Sequence, residues 1–113
     1  MFATRHLLQS TRITFFTRET CGLCSQAKTV LSNVWDKRPF AYTEVDVDLP
    51  KPESKKWRDI YDFDVPVIHI SKASAPDEDP AKVGKAIKLM HRFTVEQVEA
   101  QMDKAEQQQC LVR

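Results

Sequence analysis

Two cysteines separated by two residues are the feature of this sequence best able to do chemistry. They are Cys21 and Cys24, in the segment Cys-Gly-Leu-Cys. Thiols at this spacing can form a reversible disulfide, and they can also supply two ligands of a zinc site. The redox alternative requires the pair to lie between a strand and the N-terminus of a helix. Unpaired N–H groups and the helix dipole at that position stabilise a thiolate and lower its pKa from about 8.5.

The residues around the cysteines predict that arrangement. Residues 13–17 are β-branched and aromatic, which is typical of a buried strand. Apolar residues at helical spacing then predict a helix over residues 24–35. Thr20 is the residue type that favours the N-cap, so we expect it to begin this helix.

The predicted positions give the two cysteines different roles. Cys21 lies at the exposed start of the helix, where it can attack a disulfide as the thiolate. Cys24 lies one turn further along, on the apolar stripe, and would resolve the mixed disulfide. Arg18 precedes the pair and is expected to add a positive charge on the side from which a substrate approaches.

The rest of the chain alternates strand and helix signals, which indicates an α/β domain. Residues 41–47 alternate between the two faces of a second strand, and the helix after it has Pro52 in its first turn. Residues 67–70 and 87–90 predict two more strands, joined by a polar loop over 72–85 that we expect to be solvated. Helices between the first three strands predict crossover connections, whereas the last two strands predict a hairpin.

The last helix completes the order β-α-β-α-β-β-α. Thr94 and Gln97 form a capping-box pattern at its start, and we expect the helix to end near Gln107. A chain of 113 residues makes a single domain the default. The predicted parts are an N-terminal extension over 1–11, a domain over 12–107 and a C-terminal tail over 108–113.

Composition excludes several classes of function. The chain has 17 basic and 16 acidic residues, a balance that argues against nucleic-acid binding and against charge-driven membrane binding. No apolar run approaches the roughly 18 residues of a membrane span. Three cysteines are too few for a secreted disulfide scaffold. We expect a cytoplasmic monomer, with the mitochondrion as the alternative because residues 1–18 contain arginines and no acid.

Two motifs resemble the glutaredoxin branch of the thioredoxin superfamily, over about residues 12–105. One is Thr-Arg-Glu-Thr-Cys-Gly-Leu-Cys at 17–24, and the other is Asp-Val-Pro-Val-Ile at 64–68, where a later strand begins. The resemblance implies a thioredoxin-like fold, with a four-stranded mixed sheet flanked by helices. It also implies a protein-disulfide or glutathione-linked oxidoreductase in which Cys21 and Cys24 form a redox-active disulfide.

The resemblance further implies partners and a binding surface. The expected partner is a disulfide-containing protein, or glutathione as a co-substrate, and neither a bound cofactor nor a metal is expected. Pro66 is expected to be cis and to lie beside the cysteines, with the Val65 backbone paired to an extended substrate. The candidate sites for the carboxylates of glutathione are Arg18, the second helix at Lys55 and Arg58, and the helix N-terminus at Thr94.

One stretch departs from the family pattern. Glutaredoxins carry a Gly-Gly pair before the last helix, where the γ-glutamyl end of glutathione binds. Residues 90–94 of this chain are bulky and contain no glycine. Phe93 is expected to stand in front of the helix N-terminus, so we predict weak glutathione-coupled activity.

Two other functions stay open at this point. One is a non-catalytic binding module that keeps the fold and holds a partner segment in the groove at Val65 and Pro66. The other is a metal site, although no second ligand pair has the spacing of a zinc finger. Such a site would combine the two cysteines with two members of the set His69, His91 and Cys110. We expect His69 instead to be a buried, hydrogen-bonded strand residue.

Overall fold

The structure is a computed structural model that describes residues 10–111. Within these residues the predicted order β-α-β-α-β-β-α is confirmed, with a short 3-10 helix added between the last two strands. The elements are β1 (Thr11–Thr17), α1 (Gly22–Lys37), β2 (Ala41–Asp46), α2 (Pro52–Tyr61), β3 (Val67–Lys72), the 3-10 helix (Pro80–Lys85), β4 (Ile87–Met90) and α3 (Val95–Leu111).

The four strands form one mixed sheet in the order β2-β1-β3-β4. β1 pairs in parallel with β2 and antiparallel with β3, and β3 and β4 form the predicted antiparallel hairpin. The crossover predicted at the first helix is confirmed, because α1 joins the parallel strands β1 and β2. The segment with α2 also crosses over β1, as predicted, but it leads to a strand that is antiparallel to β1. The chain after α2 passes to the far side of β1 and starts β3 at the same end of the sheet at which β2 stops.

This strand arrangement gathers four chain segments at one end of the sheet. Thr17, the last residue of β1, is paired with Asp46, the last residue of β2. Val67, the first residue of β3, is paired with Phe16 on one side and with Met90, the last residue of β4, on the other. The segments that follow β1, β2 and β4 and the segment that precedes β3 therefore meet there.

The main core lies on the face of the sheet that α1 and α3 cover. Alternation along β1 directs Ile13 and Phe15 to this face, where both are fully buried. The helical spacing of Cys24, Ala27 and Leu31 places them together against these strand residues. The helix predicted over 24–35 is confirmed. α1 and the strand beneath it consequently fix the position of Cys24 within the core.

The opposite face carries an aromatic cluster under α2. Phe16 packs against Trp57 and Tyr61, with ring centroids 4.5 Å and 5.3 Å away. His69 of β3 also contacts the Phe16 ring edge-on, at 4.7 Å. Val65, just before β3, packs against this cluster and against the main core, so it lies at the rim between the two faces.

Most residues of the loop between β3 and β4 are exposed, as predicted over 72–85, but Glu78 is half-buried and reaches the aromatic cluster on this second face. Tyr61 Oη lies 2.6 Å from His69 Nε2, and His69 Nδ1 lies 2.9 Å from Glu78 Oε1. The other oxygen of Glu78 accepts a hydrogen bond from Thr14, at 3.0 Å. Arg12 donates to two loop carbonyls, those of Ala75 and Pro76. The buried strand residue predicted at His69 is confirmed, and its partner on the loop holds the loop against the sheet.

Two element ends differ from the prediction. Thr11, assigned to the N-terminal extension, is the first residue of β1. α3 continues to Leu111, past the expected end near Gln107. A physical reason lies in Glu106, whose carboxylate accepts from Ser10 and Arg38 and holds this part of the helix against the domain. Residues 1–9 of the predicted extension, and residues 112 and 113, lie outside the described residues.

Glu78→Gln is expected to lower the free energy of unfolding and to make it depend less on pH in the acid range. Burial raises the pKa of Glu78, but the hydrogen bond and charge of His69, the Thr14 hydroxyl and the Arg12 charge together bring it below the ordinary value of 4.5. A carboxylate with a lowered pKa stabilises the fold above its unfolded pKa, and the contribution is lost as the pH falls through the folded value.

The measurement is urea unfolding as a function of pH. At neutral pH the variant should lose about 1–3 kcal/mol of unfolding free energy. Below pH 4.5 the difference from wild type should shrink. Glu53→Gln, at the exposed start of α2, is the matched control and should change little. If the unfolding free energies of Glu78→Gln and wild type differ by the same amount at every pH, this account is contradicted.

Candidate active site

The cysteine pair lies where β1 leads into α1. The helix begins at Gly22, so its N-cap is Cys21 and not Thr20 as predicted. Cys21 has an extended backbone, and its Sγ accepts a hydrogen bond from the backbone N–H of Cys24 at 3.1 Å. A sulfur therefore takes the place that a hydroxyl or carboxylate oxygen usually holds at an N-cap. This contact places the helix N-terminus directly against the sulfur of Cys21.

Cys21 and Cys24 are joined by a disulfide, with their Cα atoms 5.2 Å apart. Cys24 is 4% exposed and belongs to the main core, whereas Cys21 is half-buried and packs at its edge. The predicted difference in accessibility is confirmed. The first turn of α1 contains no acidic residue that would oppose the positive end of the helix dipole. The site can accordingly stabilise a Cys21 thiolate once the disulfide is reduced.

Arg18 joins three of the segments that meet at this end of the sheet. Its guanidinium forms two hydrogen bonds with the Asp48 carboxylate, at 3.0 and 3.1 Å. It also bonds to the carboxylate and the backbone carbonyl of Asp62, at 2.7 and 3.0 Å. Hydrogen bonds to Asp62 and then Asp48 raise the pKa of Arg18. Arg18 borders the depression beside the cysteines, but both carboxylates engage its charge, and its role toward a substrate stays a prediction.

Nothing in the sequence pattern pointed to these two carboxylates. Asp48 and Asp62 lie 30 and 44 positions after Arg18, in loops whose approach depends on the direction of β3. We call the arrangement of Arg18, Asp48 and Asp62 the arginine clamp.

Val65 and Pro66 lie beside the clamp, at the entry to β3. Their peptide bond is cis, as predicted. The carbonyl of Pro66 accepts from the backbone N–H of His91, at 2.8 Å. No hydrogen bond joins the backbone of Val65 to another residue between 10 and 111. Pairing of this backbone with a substrate stays a prediction, and the geometry leaves both its polar groups available.

The segment between β4 and α3 contains the capping box predicted at Thr94. The hydroxyl of Thr94 accepts from the Gln97 N–H at 3.1 Å, and the Gln97 side chain accepts from the Thr94 N–H at 2.9 Å. Phe93 does not stand in front of this helix end as expected. Its ring is 7% exposed and packs in the main core.

His91 adopts a backbone conformation that the sequence did not reveal. Its φ angle is 65°, in the left-handed region that residues with a Cβ rarely occupy. The side chain is exposed, and its Nε2 lies 3.7 Å from the Asp64 carboxylate. This bend turns the chain at the end of β4, so that the His91 N–H reaches Pro66 and Phe93 enters the core.

An open depression of about 280 Å³ adjoins both cysteines. Lys28 on its border is 3.5 Å from Glu44, and the Arg18 charge is held in the arginine clamp. Three carboxylates and two cations line it, so its charge does not favour an anion. The charged residues are Arg18, Glu19, Lys28, Glu44 and Asp46.

Two negative findings apply to the described part of the chain only. No three His, Cys, Asp or Glu side chains are placed there to hold a metal ion together. The side chain of Cys110, named as one possible zinc ligand, lies outside that part. None of the described helices is both long and apolar enough to cross a membrane.

The glutaredoxin-like domain family (DUF836) matches residues 12–103, which is most of the chain. The chain belongs to this family. Its site accordingly combines a glutaredoxin-like sequence with the helix-capping disulfide described above.

Solved thioredoxin structures show the same fold. Thioredoxin O2 from Arabidopsis thaliana is 16% identical with a TM-score of 0.57, over 91% of this chain and 84% of that one. Chloroplastic thioredoxin z is 18% identical with a TM-score of 0.62, over 93% and 86%. A thioredoxin from Halobacterium salinarum, carrying one substitution, is 13% identical with a TM-score of 0.60, over 93% and 82%. At these identities the likeness establishes the thioredoxin-like fold alone.

His91→Gly and His91→Ala are expected to differ in stability. Both remove the imidazole and its long contact with Asp64, but only glycine relieves the left-handed backbone. We expect the glycine variant to be more stable than the alanine variant by about 1 kcal/mol. Urea midpoints of the two variants measure this difference, and equal midpoints would show that the backbone at His91 is not strained.

Proposed function

We propose that this protein is a thiol–disulfide oxidoreductase in which Cys21 is the nucleophile and Cys24 the resolving thiol. The observation that carries the proposal is the hydrogen bond from the Cys24 N–H to the Cys21 sulfur at the helix N-terminus. In the reduced protein this donor and the helix dipole stabilise the thiolate and lower its pKa. The greater exposure of Cys21 supports its role as the sulfur that meets the substrate.

The reaction proceeds by two exchanges. The Cys21 thiolate forms a bond to one sulfur of the substrate disulfide, and the other substrate sulfur leaves as a thiolate that takes a proton from water. Cys24, after losing its proton to water, attacks the Cys21 sulfur and releases the second substrate thiol. Two electrons pass from the dithiol to the substrate. An external thiol reductant then supplies two electrons and reduces the Cys21–Cys24 disulfide to the dithiol.

The arrangement of charges supports a dithiol pathway with little glutathione coupling. Arg18, the candidate for one carboxylate of glutathione, is already held by two aspartates. The hydroxyl of Thr94, at the N-terminus of α3, already accepts a hydrogen bond from the Gln97 N–H in the capping box. Loss of one set of charge-assisted contacts costs about 1.5–3 kcal/mol, which is about ten- to a hundredfold in affinity. Protein disulfides, which bind through backbone pairing and side-chain contacts, do not depend on these contacts.

Cys21→Ser and Cys24→Ser are expected to fail at different steps. With a small disulfide as substrate, Cys24→Ser should accumulate a mixed disulfide on Cys21, because the resolving thiol is absent. Cys21→Ser should form no such adduct at that position, and its turnover should fall to background. Mass spectrometry of the trapped protein, with peptide mapping, checks both outcomes. A Cys24→Ser variant that forms no adduct would reject the enzyme and favour the binding-module alternative.

Asp48→Asn is expected to raise the glutathione-coupled activity. The change removes one of the two carboxylates that neutralise Arg18, so the guanidinium gains capacity for the carboxylate of glutathione. Wild type should show weak turnover with glutathione and glutathione reductase, and the variant several times more. Asp36→Asn, the same charge change at the exposed far end of α1, is the control and should have no effect. Strong wild-type turnover in this assay would contradict the assignment of weak coupling.

A further inference from the structure

We propose that Leu49, Phe63 and the carboxylates around them form a docking surface for an extended protein segment with apolar and basic residues beside its reacting cysteine. This inference rests on the proposed function and names the substrate class of the same site. We call it the acidic docking surface, and it consists of Asp48, Leu49, Asp62, Phe63 and Asp64.

The exposed apolar side chains of this surface are concentrated next to the arginine clamp. Phe63 is 92% exposed, and Leu49 is 39% exposed. Each follows directly after an aspartate that binds Arg18, namely Asp62 or Asp48. Among the described residues, the one other large apolar side chain exposed to this degree is Tyr42. Two of these three side chains therefore follow residues that bind the guanidinium of Arg18, three residues before Cys21.

The segment that presents Phe63 is fixed at several points. Arg18 bonds to both the carbonyl and the carboxylate of Asp62, at 3.0 and 2.7 Å. The N–H of Asp64 donates to the carbonyl of Tyr61 at 3.0 Å, which closes a turn around Phe63. Because the backbone that carries Phe63 is already held in place, this segment loses little conformational entropy when a partner covers the ring. Phe63 is therefore well suited to anchor a partner.

The position of this surface fits a substrate that also reaches the disulfide. The segment that holds Phe63 continues into Val65, whose backbone polar groups make no hydrogen bond to the described residues. Val65 and Cys21 both pack against the edge of the main core. An extended segment that pairs with Val65 while its cysteine meets Cys21 would run on toward Phe63.

The charge of the surface favours a basic partner. Three aspartates, Asp48, Asp62 and Asp64, are the chain neighbours of the two apolar residues. Arg18 binds the first two, and His91 lies 3.7 Å from the third. The side chains of these aspartates are 43–48% exposed, so their charge reaches the solvent. Charge complementarity of this kind acts mainly on the rate of association and weakens with salt. A lysine or arginine beside the apolar residue of the substrate would be attracted by the negative charge of these aspartates.

The test compares two symmetrical peptide disulfides as substrates of the reduced protein. One peptide has leucine and lysine beside its cysteine, and the other has serine and glutamate. We expect wild type to reduce the first about tenfold faster at low ionic strength, with the ratio falling as salt is added. Phe63→Ser should reduce this ratio about fivefold, and Asp64→Asn should weaken its salt dependence. The rates come from acid-quenched single turnovers followed by mass spectrometry.

Tyr42→Ser is the control, because it removes the other exposed aromatic ring of the described residues, at a position away from the site. Tyr42 is paired with Ile13, four residues along β1 from the site end, or about 13 Å. The ratio should be unchanged in this variant. Equal rates for the two peptides in wild type, or the same ratio in Phe63→Ser as in wild type, would overturn the docking surface.

A second measurement separates this inference from the proposed chemistry. The same peptides with serine in place of cysteine are titrated into the oxidised protein, and binding is followed by NMR shifts at residues 62–65. The leucine–lysine peptide should bind more tightly, and Phe63→Ser should remove the difference. Absence of binding would reject the docking surface even if the chemistry holds. Failure of the reduced protein to reduce hydroxyethyl disulfide would instead reject the oxidoreductase.

Discussion

The pairing of β1 with a parallel strand on one side and an antiparallel strand on the other determines where this protein can act. Because β3 runs against β1, the loop before β3 approaches the loops that follow β1 and β2. The main core and the aromatic cluster bury both faces of β1, so its register is tightly specified. The redox cysteines, the Val65 backbone and the arginine clamp all depend on that register.

Local patterns in the sequence predicted the helices and strands well, but they could not predict contacts between distant residues. The spacing of Cys24, Ala27 and Leu31 indicates a helix because helical periodicity is a local property. The pairing of Arg18 with Asp62 spans 44 positions and follows from the direction of β3, which no local pattern specifies. The buried position of the Phe93 ring likewise follows from the left-handed backbone at His91. Such a conformation is hard to predict from sequence at a residue other than glycine.

The charged residues near the disulfide have a structural role that the sequence did not indicate. Arg18 holds loops together through Asp48 and Asp62, so the stabilisation of a thiolate depends on the backbone at the start of α1. The same two aspartates leave a negative surface beside Phe63. Under our proposal, this site is poorly matched to glutathione, which carries two carboxylates, and better matched to a basic segment of a protein. Backbone pairing at Val65 and an aromatic anchor at Phe63 would provide the specificity that glutathione contacts provide elsewhere.

The central claim is that the helix N-terminus activates Cys21, and its most direct test is the thiolate pKa. The rate of alkylation of Cys21 is measured across pH in the reduced Cys24→Ser variant, with the modified peptide identified by mass. We expect the midpoint of this titration to lie well below the value of about 8.5 for an ordinary cysteine. A midpoint at or above that value would contradict the account, because the hydrogen bond to the sulfur would then provide no stabilisation of the thiolate.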